Sequence, residues 1–195
     1  MLAPLKYLMR MLVYLSLLIL VGCQSRPAGY QVESSKNIES WFLQGKVFLI
    51  SPDERFSASI IWDKQEEISH IKLLSPLGTT LLTLDVTPTM STLHMDDRVY
   101  YDTDAEKLLW KTTSWLIPLK RMQQWVKGQS TVHDQVVTRD KQGRLRYLRA
   151  QYAKRVWHIR FKSWQNRFGA DIPEQITAQH EKIKFKINIY DWIPQ

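Results

Sequence analysis

The chain has 195 residues, with 27 Lys and Arg against 19 Asp and Glu, a formal net charge of +8 and a single cysteine. That length suits one domain with a sizeable core rather than several. A lone cysteine excludes any intrachain disulfide.

The N-terminus places Lys6 and Arg10 ahead of an almost wholly apolar run over residues 11–21, which Gly22 and Cys23 follow. The run is shorter than the roughly 20 apolar residues of a membrane-spanning helix. Positive charge, a short apolar stretch and a small residue make a secretory signal. Leu20-Val21-Gly22-Cys23 has the form of a bacterial lipobox, in which the cysteine is diacylated, the signal is cut before it and the new amino group is acylated. Residues 1–22 are therefore read as a signal peptide and Cys23 as the lipidation site. Three acyl chains exceed what stable anchoring requires. Gln24 stands where an Asp commonly marks inner-membrane retention, which favours the outer membrane. Losing Lys6 and Arg10 with the signal leaves 25 cations against 19 acids, a net of +6. A periplasmic address argues against nucleic acid, so this excess serves lipid phosphates, an acidic partner or solubility alone.

Residues 23–37 are polar, with Pro27 and Gly29, and read as the lipidated cysteine and a flexible tether. The remaining residues, 38–195, form one domain. A short helix is expected from about Ser35 into Trp41. Strands then dominate. Phe56, Ala58, Ile60 and Trp62 alternate with Ser57 and Ser59, and further strands follow in ISHIKLL, TTLLTLDV, STLHMD and RVYY. The gaps at 51–54, 64–67, Pro76, 87–89 and Asp96-Asp97 are turn-like, which predicts an antiparallel meander.

Two helices interrupt the meander. Thr103 through Glu106 reads as a capping box, with Leu108 and Leu109 on the apolar face behind it. Pro118 suits a first helical turn, Leu119, Met122, Trp125 and Val126 repeat at helical spacing, and Gly128 suits the stop. Strands resume after a turn at 142–144. Trp157, Ile159 and Phe161 face one way and His158, Arg160 and Lys162 the other. In the last strand Ile183, Phe185, Ile187 and Ile189 oppose Lys182, Lys184, Lys186 and Asn188. Such alternation gives one apolar face and one wet face. A curved sheet wrapped towards a barrel, its concave side covered by the helices, satisfies this pattern. The eight tryptophans either fill its core or line a cavity; periodicity does not decide between them.

Catalytic and metal signatures are missing. His70, His94, His133, His158 and His180 make no close ligand pair, the single cysteine is committed to lipid, and no nucleophile elbow or Gly-rich phosphate loop occurs. No enzyme, cofactor or metal is expected. The turn Ser75-Pro76-Leu77-Gly78 is odd in another way: it sets a leucine at a tip where Asn, Asp, Ser or Gly is usual.

Taken together, the lipobox at Cys23, Trp41 with Gly45, Trp62, the Ser75–Gly78 turn, Thr103–Glu106, Pro118-Leu119 with Trp125 and Gly128, and the ending from Lys182 to Asp191-Trp192 resemble the LolB family. The hairpin tips at Thr87-Pro88-Thr89 and Asp96-Asp97 depart from it by lacking glycines. The resemblance implies a half-closed antiparallel β-barrel with a short helical lid over a hydrophobic cavity. It implies an outer-membrane lipoprotein facing the periplasm that accepts lipoproteins from the LolA-like periplasmic carrier and inserts them into the outer membrane. Cargo acyl chains, the carrier and outer-membrane lipid are then its partners, and a monomer is expected. Leu77, flanked by Pro76 and Gly78, becomes the membrane-inserting residue. By strand parity the cavity residues are Ile60, Trp62, Ile71, Leu73, Leu82, Leu84, Trp157, Phe161, Phe185 and Ile187, with Leu108, Met122 and Trp125 from the lid. Two other readings stay open: a lipoprotein binding another apolar ligand, such as a free lipid or glycolipid, and an assembly lipoprotein with a solid core.

Overall fold

Hydrophobic alternation over most of residues 41–194 is realised as one antiparallel sheet of eleven strands. The computed structural model describes residues 37–195, all within one compact unit. The signal 1–22, Cys23, the tether up to residue 36 and the start of the helix expected near Ser35 lie outside the described residues. Within the described residues that helix is not formed: Asn37 alone is in a 3₁₀ turn, residues 38–40 are irregular, and the first strand starts at Trp41.

The first meander comprises β1 (Trp41–Ile50), β2 (Arg55–Gln65), β3 (Ile68–Leu74), β4 (Thr80–Val86), β5 (Ser91–Met95) and β6 (Arg98–Asp102). Helices α1 (Ala105–Thr113) and α2 (Leu119–Trp125) follow. The second meander runs through β7 (Asp134–Arg139), β8 (Leu145–Tyr152), β9 (Arg155–Arg167), β10 (Ala170–His180) and β11 (Ile183–Pro194). The spatial order is β6-β5-β4-β3-β2-β1-β11-β10-β9-β8-β7. The first and last strands thus meet in the middle, while β6 and β7 are the two edges. The helices and their flanking residues connect those edges, so the sheet is an open, half-closed barrel with its lid at the gap.

The β1–β11 seam has a register shift between Gln44 and Gly45. A Cβ on Gly45 would lie 2.1 Å from the carbonyl oxygen of Asn188, so only glycine permits the two backbones to approach this closely. Across the seam the inward rows are continuous: Phe56, Leu49, Phe185 and Ala178 form one, and Ala58, Val47, Ile187, Ile176 and Phe161 another. All but the half-buried Phe56 are core residues.

Several local expectations need correction. Strand β2 continues through Lys64 and Gln65, leaving only Glu66 and Glu67 to turn. Strands β7 and β10 do not stand out in the sequence. β10 carries Pro173 within its length, at a register shift opposite Trp164, where a missing N–H is tolerated. The hairpin at Asp96 and Asp97 dispenses with glycine because both aspartates take positive φ, 52° and 57°, the two-residue geometry that suits β-twist and that Asp accepts more readily than most residues.

Candidate functional site: an apolar cavity beside an exposed leucine turn

The lid begins with α1. Its N-cap is Asp104, one residue after the expected Thr103: the Asp104 carboxylate accepts hydrogen bonds from Glu106 N at 2.9 Å and Lys107 N at 3.0 Å. Glu106 does not complete a capping box. Its Oε1 accepts instead from the backbone N–H of Lys120 at 2.9 Å and from the Tyr152 hydroxyl at 3.2 Å. One carboxylate therefore ties α1 to the start of α2 and to the end of β8. Burial pushes the Glu106 carboxyl above its ordinary value. Burial and the neighbouring Glu106 charge push the Tyr152 hydroxyl up to about 12.

Pro118 caps α2 rather than sitting within its first turn. The helix ends at Trp125 with Val126 as its C-cap, and the turn that follows closes at Gly128, which has φ +70° and where a Cβ would meet the Trp164 ring at 2.5 Å. Trp125 of α2 lies 6.5 Å from Trp157 of β9, and Lys127 Nζ donates to the buried Ile38 carbonyl at 3.0 Å. Arg121 pairs with buried Asp134 at the start of β7. Helix α2 is thus fastened to the second meander. Between the helices, Trp115 packs on Phe56 with centroids 4.5 Å apart and donates from Nε1 to Glu54 at 3.1 Å. This linker crosses to the first meander by one ring contact and one partly exposed hydrogen bond.

Beneath the linker is a cavity of about 40 Å³ with wholly apolar walls. Ile60, Trp62, Ile71, Leu73, Leu82, Leu84, Met122 and Phe185 line it, as do Val47, Leu49, Phe56, Leu109, Trp115, Ile117 and Leu119. The other expected cavity residues, Leu108, Trp125, Trp157, Phe161 and Ile187, are buried but not on its wall. They are interior residues as expected, but they are packed filling rather than cavity wall. On α1 it is Leu109 that reaches the cavity. Phe56 shares the parity of Ile60 and Trp62 and was legible from the sequence; Trp115 and Ile117 lie in an irregular linker that gives no periodic signal. Tryptophan plays both of its possible roles: Trp62 and Trp115 reach the cavity, whereas Trp41, Trp125, Trp157 and Trp192 are fully buried filling.

The Ser75–Thr79 turn lies at the end of the sheet that also holds the 51–54 turn, since antiparallel strands alternate their ends. Gly78 N donates to Ser75 O at 2.9 Å and Ser75 N to Thr79 O at 2.8 Å. Gly78 has φ +83° and Leu77 does not have positive φ, so Pro76 and Leu77 make a type I turn that the left-handed glycine closes onto β4. Leu77 is 95% exposed. Leu73 and Leu82, a pair across β3 and β4, line the cavity just behind it.

Comparison with known proteins bears directly on this arrangement. The model of the family "Outer membrane lipoprotein LolB" matches residues 39–192. The chain belongs to the LolB family. The outer-membrane lipoprotein LolB of Shewanella loihica is 37% identical over 182 residues, covering 91% of this chain and 84% of that one. That of Shewanella baltica is 34% identical, covering 91% and 85%. A solved LolA superfamily protein from Nitrosomonas europaea superposes with a TM-score of 0.56 at 9% identity, covering 85% of this chain and 89% of that one, and so shares the fold. LolB membership and this neighbour agree with the half-closed barrel read from the strands.

Proposed function

We propose that this LolB-family protein receives lipoproteins arriving from a LolA-like periplasmic carrier and inserts them into the outer membrane, to which it is itself anchored through lipid on Cys23. The role is transport rather than catalysis. The observation that carries the reading is the pairing of a wholly apolar cavity with a fully exposed leucine at the same end of the sheet. Cargo acyl chains enter the cavity, and Leu77 holds that end against the bilayer. Burying one leucine in lipid contributes about 1.5–3 kcal/mol, enough to hold contact but not to anchor. Since about 1.4 kcal/mol is a factor of ten, modest gains at each step suffice to carry cargo from carrier to receptor to membrane.

A cavity of about 40 Å³ holds little more than a few water-sized bodies, so acyl chains require it to widen. The 114–118 linker, which roofs the cavity with Trp115 and Ile117 and has no helical hydrogen bonding of its own, lifts on loading.

The test uses the mature chain with Cys23→Ser, a carrier loaded with a labelled triacylated lipoprotein, and liposomes. Wild type should take and deliver the label, while Leu77→Glu takes it and delivers at least tenfold more slowly. Equal delivery by both would reduce Leu77 to a turn residue. Failure of both to accept cargo would favour binding of another apolar ligand.

A further inference from the structure

The convex face of the second meander has a different character from the cavity end. Outward positions on neighbouring strands align by register: Tyr147 of β8 with Arg160 of β9, Arg160 with Thr177 of β10, Thr177 with Lys186 of β11, and Lys186 with Phe48 of β1. Arg146, Arg160 and Lys162 converge on a groove of about 470 Å³ none of whose lining residues is acidic. Lys184, Lys186 and Lys46 extend the positive surface across the seam. The ion pairs of the described residues engage other groups, at the lid, β7, the 140–144 turn, His70 and His180, and none of these six.

Aromatic rings are set among these charges. Arg160 lies over Tyr147 at 4.9 Å, and Lys186 and Lys46 over Phe48 at 5.1 and 5.4 Å. The Tyr147 hydroxyl is engaged with His158 Nδ1 at 2.6 Å. Such rings hold cations spread out along the surface rather than paired, and Tyr is favoured at the headgroup level of a bilayer.

We infer that this face, centred on Arg146, Arg160 and Lys162, docks on anionic phospholipid headgroups of the membrane that anchors the protein. The charge of such a surface complements the face, and a tethered domain is never far from it. The groove lies five strand spacings from the Leu77 turn, about 24 Å along the sheet. It is on a sheet face, whereas Leu77 is at a strand end, so the two cannot lie flat on one bilayer together. The face provides a resting posture, with strands along the membrane, distinct from the end-on posture of delivery. This goes beyond cargo transfer and stands whether or not the cavity accepts acyl chains.

The experiment is flotation of the mature Cys23→Ser chain with vesicles of phosphatidylethanolamine and phosphatidylcholine, with or without about one third phosphatidylglycerol. A cation at an anionic membrane surface is worth roughly fivefold in affinity. Wild type should bind the anionic vesicles at least tenfold more tightly, and 0.5 M salt should remove the difference. Arg146→Gln/Arg160→Gln/Lys162→Gln should lose most of it, as should the corresponding triple Glu variant, with thermal midpoints unchanged; Leu77→Glu should keep it. Equal binding to both vesicle types, or a preference that survives the triple Gln change, would overturn the inference. So would a triple variant that binds vesicles normally but no longer engages the loaded carrier, since the face would then serve an acidic protein surface.

Discussion

Leu77 owes its exposure to its neighbours. Pro76 sets the turn, and Gly78 at φ +83° returns the chain to β4 without pulling the leucine inward. At the same scale, Glu106 shows how one side chain can be misread. Its spacing from Thr103 suggests a cap, but Asp104 takes that role and frees Glu106 to bind Lys120 N and the Tyr152 hydroxyl. A carboxyl whose folded-state value is raised favours the fold while protonated. That contribution is present below the ordinary carboxylate range and is lost as pH rises through the raised value. Glutamine keeps an acceptor for both donors at any pH. Glu106→Gln should therefore be more stable than wild type at pH 8, and the gap in urea midpoint should close as pH falls towards 4. An unchanged gap would mean the carboxylate is not penalised by its site.

Among elements, legibility followed contrast. β2, β9 and β11 alternate cleanly between core and water, and the sequence reveals them. β7 is exposed along nearly its whole length and so carries no alternation. β10 is masked by Pro173, which a register shift accommodates. The cavity was legible along its strand wall and at Met122 of α2, but strand parity marks the interior without saying which part of it stays open, and the linker's Trp115 and Ile117 carry no periodic signal. The seam between β1 and β11 depends on Gly45. Gly45→Ala would drive a methyl into Asn188 O and should cost about 3 kcal/mol or more, a loss of the size that marks a specific clash. Chemical denaturation measures it; a loss under 1 kcal/mol would show that the seam can spread.

At the scale of the molecule, the two ends of the strands do different work. Trp41 begins β1 at the end opposite Leu77, and the ten residues of β1 span about 33 Å. Residues 24–37 reach at most about 50 Å when fully stretched, enough to let an upright domain bring Leu77 to the membrane that anchors the protein. Deleting residues 24–32 leaves a reach of about 18 Å. The anchored variant should accept cargo at the normal rate yet deliver it several-fold more slowly to its own membrane, while the unlipidated variant delivers normally to added vesicles. Equal delivery by the anchored forms would mean that the domain need not stand upright. The seam carries one more consequence, for biogenesis. Because β1 hydrogen-bonds to β11, the strand made first finds its central neighbour only in the strand made last. The seam cannot close until β11 has been synthesised, so the two meanders gain their shared core only when the chain is all but finished.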